Sequence, residues 1–366
     1  MIRRHFTVHA WREKEMRMRV RPIVCKFGGT SLADARRFAR VAEIVRRDGR
    51  RRYIVASAPG KRFDEDVKVT DRLIAAYAAQ GAERLDALEG ARDVFRAIAD
   101  GLALRSYETE LATLDEAAAT SRDMSASRGE WLCAKALADY LGLPFVDAAE
   151  LFLFEDGILN VEKSYARIRM LPSGGAVIPG FYGADRSGRV VTFPRGGSDI
   201  TGAHIAAALN AALYENWTDV DGFRAADPRL VPDAAAIPFL SYQQARVFSR
   251  LGAGILHHDC VAPVERANVP ISVKNTFRPD APGTRISRGA RWEGPFLAAS
   301  PRAAGTCRLT LMGAGELTAG ALAGILPAGS TVSAGGGGVS ITCPEAHVAD
   351  AARAIYALSL KSSYNQ

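Results

Sequence analysis

The chain has 366 residues, 48% hydrophobic and 24% charged, with a formal net charge of +7 at pH 7. That length and apolar content suit a soluble protein of two domains with a large core, and no run is long and apolar enough to span a membrane. Much of the basic excess is Arg in the first fifty residues, without interleaved aromatics or a nucleic-acid motif, so nucleic acid is excluded as the expected partner.

The opening stretch, MIRRHFTVHAWREKEMRMRV, is basic but lacks the apolar core of a secretory signal, and Glu13 and Glu15 argue against a transit peptide. Residues 1–20 are expected to be a disordered extension, or an upstream start with Met16 or Met18 as the true one. From Pro22 short apolar runs alternate with helical patterns, the signature of an α/β layer architecture with a largely parallel sheet. PIVCKF reads as the first strand. LADARRFARVAEIVRR then repeats apolar residues at helical spacing (Leu32, Ala35, Phe38, Ala42, Val45), and RYIVASA is a second buried strand. A helix-rich stretch follows from about Lys68 to Leu143, dense in Ala, Leu, Glu and Arg. Further strands are expected at AVIPGF, RVVTF, LYENWTDV and PISVKN, with the helix DITGAHIAAALNAAL between the middle pair. RPDAPGTRISRGARWEGP closes this body near residue 290. The division read from these patterns is 21–290 for the large domain, 291–304 for a linker and 305–366 for a small C-terminal unit.

The five cysteines (Cys25, Cys133, Cys260, Cys307, Cys343) are far apart with no C-x-x-C pair, which speaks against a disulfide framework and for a reducing cytoplasm. HHDC at 257–260 places its residues next to one another rather than at ligand spacing, so no metal ligands are expected there. His204, alone on a helix, reads as packed or solvated.

VASAPGKR has Val55 and Arg62 where a Walker A loop needs Gly and Ser or Thr, and neither GAGILH nor GAGELT completes a dinucleotide fingerprint. KFGGTS (26–31) offers another device: glycines let main-chain N–H groups approach an anion, and Lys26 adds a point charge at the end of a strand. FPRGGSDITG (193–202) repeats it, with Ser198 and Asp199 opening a helix whose N-terminus attracts negative charge. NWTDVDGFRAADPRL (216–230) ends a strand in two aspartates that can meet ribose hydroxyls or a metal, or can serve turn chemistry.

Taken in order, these stretches, together with VASAPGK, KVTDRL, SRGEWLCAKAL and VKNTFRPDAPGTRI, resemble the aspartate kinases of the amino-acid kinase fold from about Ile23 to Ile286. The resemblance implies a three-layer sandwich with a mostly parallel central sheet, plus a small C-terminal α+β domain of ACT type. It implies ATP-dependent phosphorylation of the side-chain carboxylate of L-aspartate, with Mg²⁺, as the first step toward lysine, threonine and methionine, in a cytoplasmic homodimer. By the same likeness Lys26 sits on the transferring phosphates and Asp199 orients it. Gly28, Gly29, Thr30, Gly196 and Gly197 supply main-chain donors; Ser31 and Ser198 contact the substrate, Arg195 grips its carboxylate, and Glu130 receives its ammonium. Thr218, Asp219, Asp221, Arg229, Lys274 and Asn275 match positions that hold the nucleotide.

The sequence also departs from the family pattern. Gly254 stands where a phosphate-binding lysine is common, which leaves Arg229 or Lys61 to supply that charge; Arg224 replaces an aromatic after the DVDG run, and Pro194 replaces a glycine. The C-terminal unit fits one ACT module, with its last strand hard to see and GGGG at 335–338, so regulation and simple packing are equally open readings. Two other functions stay in view: a kinase of the same fold acting on another small acid, and a non-catalytic binding homologue.

Overall fold

The structure, a computed structural model, describes residues 21–194, 196–302, 305–313, 319–335 and 338–363. The expected extension 1–20 and the expected substrate ligand Arg195 lie outside the described residues.

Five parallel strands form the centre of the large domain: β1 (Ile23–Phe27), β2 (Arg51–Ala56), β5 (Ala176–Pro179), β8 (Leu213–Thr218) and β10 (Ile271–Asn275). With β9 (Phe239–Leu240) and β11 (Thr284–Ile286), the latter antiparallel to β10, they make a seven-stranded sheet in the order β5-β2-β1-β8-β10-β11-β9. The chain leaves β1 toward β2 on one side and returns through β8 on the other. In an open parallel sheet such a reversal opens a crevice at the carboxyl ends of the strands, where ligands bind.

Alternation along each strand assigns the two faces. Ile23, Cys25 and Phe27 pack with the helices Ala35–Arg46, Val69–Ala78, Gly81–Gly101, Glu108–Thr120 and Arg122–Leu141. Val24, Tyr53, Val55 and Tyr214 face the opposite layer, built around the wholly buried helix Gly197–Ala208. Three layers result, as expected, and the helix-rich stretch resolves into four helices. Polar caps start two of the helices on this face: Asp34 accepts from the Arg37 N–H at 2.9 Å ahead of Ala35–Arg46, and Ser121 from the Met124 N–H at 3.1 Å ahead of Arg122–Leu141. A small second sheet runs in the order β4 (Ile158–Leu159), β3 (Leu153–Glu155), β6 (Tyr182–Asp185) and β7 (Val190–Thr192).

The C-terminal unit corrects the expected linker. Within 291–304 lies a seven-residue strand, β12 (Phe296–Arg302), antiparallel to β13 (Thr306–Met312). The sheet runs β12-β13-β15-β14, with β14 (Thr331–Gly335) antiparallel to β15 (Gly338–Pro344) and the helix Val348–Ser363 following. β12 is an edge strand that precedes the unit read from the sequence, and among the described residues no strand follows the helix Val348–Ser363. Its first residues bury Phe296, Leu297 and Ala298 against the large domain, and the Leu297 N–H donates to the Ala225 carbonyl at 2.7 Å. That burial fixes it as a strand despite Pro301 near its end.

One buried charge cluster ties β1, β2 and β8 together. Arg51 donates through Nε and Nη2 to both oxygens of Glu215 at 2.8 and 3.1 Å, and the Trp217 indole N–H adds a third bond at 2.9 Å. Glu215 is only 4% exposed, so removing its cation leaves a carboxylate without compensation in a dry layer. Arg51→Met is expected to cost about 3 kcal/mol or more in urea unfolding; a loss below about 1 kcal/mol, typical of a surface pair, would refute the cluster's role.

Candidate active site

The carboxyl ends of the central strands hold nearly all the sequence motifs. Lys26, on the Val24 face of β1, points at the helix Gly197–Ala208, and its ammonium lies 2.7 Å from Asp199 Oδ1. Asn216, paired with Lys26 in the β1–β8 ladder, donates to the same oxygen at 2.8 Å. The main-chain N–H of His257 donates to Asp199 Oδ2 at 3.0 Å, and Tyr214 OH donates to the Asp199 carbonyl at 3.1 Å. Burial pushes the Asp199 carboxyl up, but Lys26 and these donors outweigh it and hold the pKa below the ordinary value. Asp199 is therefore a fixed anion with both oxygens engaged.

Two glycine turns bring main chain close to this pair. The Gly60 N–H donates to the Gly29 carbonyl at 2.8 Å, and a Cβ at Gly60 would meet the Gly29 carbonyl carbon at 2.7 Å, so the turns after β1 and β2 touch backbone to backbone. Gly196 caps the helix in the left-handed region (φ 79), with the His257 ring 2.5 Å from where a Cβ would stand. Not every expected donor is free for an anion. The Gly28 N–H donates to the Trp217 carbonyl at 3.0 Å and is used inside the fold.

Glu130 enters from the long helix Arg122–Leu141. Gly129 lets that helix close on Ala58, where a Cβ would come within 2.7 Å, and Glu130 lies against the Ala58 N–H. The side chain is 6% exposed and its Oε2 has no hydrogen-bond partner among the described residues. Burial pushes its carboxyl up to about 8, against the opposing influence of the Ala58 N–H and of the charges on Arg128 and Lys26. Ser31 shares a 2.7 Å hydrogen bond with Thr276, and Ser198 lies beneath Gly180 in the first turn of the helix. Phe181, between β5 and β6, takes φ 79, a conformation a bulky residue adopts at a cost.

On the other side of Lys26 a cavity of about 590 Å³ opens at the end of β8. Thr218, Asp219, Asp221, Arg229 and Asn275 line it, as do Arg224 and Gly254, the two departures from the family pattern. Asn275 Nδ2 donates to Asp221 at 2.8 Å, and Arg278 pairs with the other Asp221 oxygen at 2.6 Å. Lys274 does not belong here. Its ammonium donates to the Ala281 carbonyl at 2.7 Å and lies 5.7 Å from the Trp217 ring, because alternation along β10 turns it to the face away from Asn275. Lys61 is likewise engaged, donating to the Asp64 carbonyl at 2.7 Å. Asp219, exposed at this cavity, offers hard oxygen donors of the kind Mg²⁺ prefers, whereas both oxygens of Asp221 are already engaged by Asn275 and Arg278. A larger cavity, about 720 Å³, runs along the small sheet between Arg122, Glu155 and Arg189, away from these groups.

The sequence reading missed three residues of this centre: Asn216, Phe181 and His257. A main-chain donor such as that of His257 leaves no trace in side-chain chemistry, whereas Asn216, a polar residue at a buried strand position, was a signal that could have been read. The turn His258–Cys260 also brings donor atoms of His257, His258 and Asp259 within 4.8 Å of one another, which spacing alone did not suggest.

Comparison with known proteins places this geometry. The model of the amino acid kinase family matches residues 21–275. Aspartokinase 3 of Bacillus subtilis is 37% identical over 302 residues, covering 75% of this chain and 65% of that protein. The lysine-sensitive aspartokinase 3 of Escherichia coli is 30% identical over 292 residues, covering 72% and 64%. The chain thus spans less than two thirds of the length of these relatives. Among solved structures, the aspartate kinase of Clostridium acetobutylicum superposes with a TM-score of 0.80 at 29% identity, covering 92% of this chain and 99% of that one. Aspartokinase III of Escherichia coli in complex with aspartate and ADP gives 0.68 at 28% identity, covering 88% and 78%.

Glu130 stays protonated in the fold up to about pH 8, whereas an unfolded glutamate ionises near ~4.3. The folded state holds the extra proton between those values, so this group's contribution to stability is full at low pH and is lost as pH rises through about 8. Glu130→Gln, neutral throughout, is expected to be more stable than the parent at pH 8.5 by on the order of a few kcal/mol, with the gap narrowing toward pH 5 in urea titrations. A gap independent of pH would show that Glu130 is not buried in its neutral form.

Proposed function

This chain belongs to the amino acid kinase family, and from that premise we propose that it transfers the γ-phosphoryl group of ATP to the side-chain carboxylate of L-aspartate, giving ADP and 4-phospho-L-aspartate. The observation that carries this reading is the pairing of a fixed Lys26–Asp199 ion pair with a buried carboxylate, Glu130, whose Oε2 has no partner among the described residues and whose pKa the Lys26 charge helps to set. A phosphate-binding cation thus lies close to a group that wants an ammonium.

The acceptor carboxylate is already ionised at neutral pH, so the transfer needs positioning and charge balance more than a base. One carboxylate oxygen forms the new P–O bond while the bond from γ-phosphorus to the ADP oxygen breaks. Lys26 has three N–H groups; Asp199 takes one and leaves two for phosphate oxygens. The N-terminus of the helix Gly197–Ala208 and the turns at Gly29 and Gly197 add fixed positive dipoles where charge moves. Asp219 is the carboxylate that would help to hold Mg²⁺, which would supply further neutralisation of the phosphates. Glu130 takes the amino group of aspartate, Arg195 its carboxylate, and Ser31 and Ser198 the acceptor end. The cavity at Thr218, Asp219, Asp221 and Asn275 takes the nucleotide, with Arg229 at its rim. A cytoplasmic homodimer supplying lysine and threonine synthesis is part of the same reading.

The second reading, another small acid as acceptor, is weakened by where the departures fall. Gly254 and Arg224 line the nucleotide cavity, and Glu130 is retained to receive an amino group.

The test is ADP release with hydroxylamine trapping of the acyl phosphate across a panel of acids. Aspartate is expected to give the fastest hydroxamate formation; a faster acid would replace it as acceptor, and no product from any acid would refute the kinase reading. Lys26→Ala and Asp199→Ala are each expected to lower kcat by about a hundredfold or more.

Because Glu130 must release a proton with a pKa of about 8 before it can pair with an ammonium, KM for aspartate is expected to fall as pH rises from 6.5 to 8.5. Initial rates across that range decide it, and a flat KM would remove Glu130 from the acceptor site.

A further inference from the structure

Asp199 Oδ1 accepts two hydrogen bonds, from Lys26 at 2.7 Å and from Asn216 at 2.8 Å, while Oδ2 accepts the His257 N–H at 3.0 Å. A carboxylate oxygen receives donors near its plane, along two lone-pair directions. With one direction of Oδ1 held by Asn216, Lys26 is confined to the other, and the bond to Oδ2 stops the group from turning. We propose that Asn216 is a positioning residue for phosphoryl transfer: it selects the lone pair through which Asp199 holds Lys26, and so aims the two remaining N–H groups of the ammonium at the phosphate.

The cost of keeping Asn216 supports this role. It is fully buried, and its Oδ1 has no hydrogen-bond partner among the described residues. A buried acceptor left unpaired is a penalty that an apolar residue of similar size would avoid. The amide is therefore tolerated for its donor side. Tyr214 does not duplicate that donor, since its hydroxyl bonds to the Asp199 carbonyl rather than to the carboxylate.

The inference rests on the kinase reading above, and its test separates the two. Asn216→Ala is expected to lower kcat about tenfold or more, with KM for aspartate and for ATP each within about threefold of the parent, the pattern of an interaction made in the transition state. Asn216→Asp keeps the shape but replaces the donor with a carboxyl beside Asp199. The ionisable groups around that pair are Lys26 from β1, Tyr214 from β8, and His257 and Cys260 from the turn following residue 256. Two carboxyls so close cannot both ionise easily, and the protonated one can donate to its neighbour. The kcat of Asn216→Asp relative to the parent is therefore expected to rise about tenfold as pH is lowered from 9 to 6. A packing role would give no such recovery. Parent turnover with Asn216→Ala within about twofold in kcat, or a relative kcat of Asn216→Asp that does not change with pH, overturns the positioning role alone. Should Asn216→Ala fail to fold, the pH response of Asn216→Asp decides. Absence of turnover by the parent overturns the kinase reading and this inference with it.

Discussion

The Lys26–Asp199 ion pair is the constraint from which most of the large domain follows. Both partners are close to nine-tenths buried, so the fold removes two opposite charges from water and must offset the desolvation with geometry and additional hydrogen bonds. The helix that carries Asp199 therefore docks directly on the ends of β1 and β8. That close approach explains its composition. Residues 197–208 read GSDITGAHIAAA, small almost throughout and buried throughout, and Gly202 lies so near Tyr214 that a Cβ would stand 2.7 Å from the ring. The usual amphipathic stripe is absent because no face of this helix meets solvent.

The opposite face of β1 carries a second buried charge cluster, Arg51 with Glu215 and Trp217, one strand position away from the first. Alternation makes the two clusters neighbours in sequence and strangers in space: Cys25 and Glu215 belong to one layer, Lys26 and Asn216 to the other. A one-residue slip of β8 would put Glu215 and Asn216 in the wrong layers and leave Arg51 and Asp199 without their β8 partners. Register is thus fixed by chemistry as well as by packing, which suits a site that needs angstrom-level placement.

Much of this centre was legible in the sequence because its parts are local. Glycine turns after strands, an Asp one turn into a helix and paired aspartates after a strand each carry their own signature, and the parallel order of the strands brings them to one edge. What could not be read depends on relations between segments. The use of the Gly28 amide and of the Lys274 ammonium is set by which neighbours they meet, Trp217 and Ala281, and no local pattern encodes that. Likewise β12 hides in a stretch rich in Pro and Gly, since only contact with Ala225 and β13 makes Phe296–Arg302 a strand. Of the small sheet only β7, within RVVTF, was expected; β3, β4 and β6 have two to four residues, shorter than any window in which alternation can be counted.

The distribution of cations around the proposed nucleotide cavity carries the argument one step further. Gly254, where relatives of the family pattern commonly place a lysine, takes φ 64 beside Gly252 at φ 109, a conformation that a lysine would adopt only with strain. The arginines nearby do not make up the difference. Arg229 is bound to Asp227 at 2.7 Å, Arg278 to Asp221 at 2.6 Å, and Arg224 donates to the Ala234 carbonyl at 2.8 Å. The wall opposite them is the start of β12, Phe296 to Ala299, which is apolar, with Phe296 stacked on Phe248. Within the described site, then, positive charge available to the phosphate of the proposed transfer is concentrated in Lys26 and the helix N-terminus. When one ammonium carries that much of the electrostatics, its direction matters more than it would in a site with several cations, and the three donors that hold Asp199 acquire a functional reason to be there.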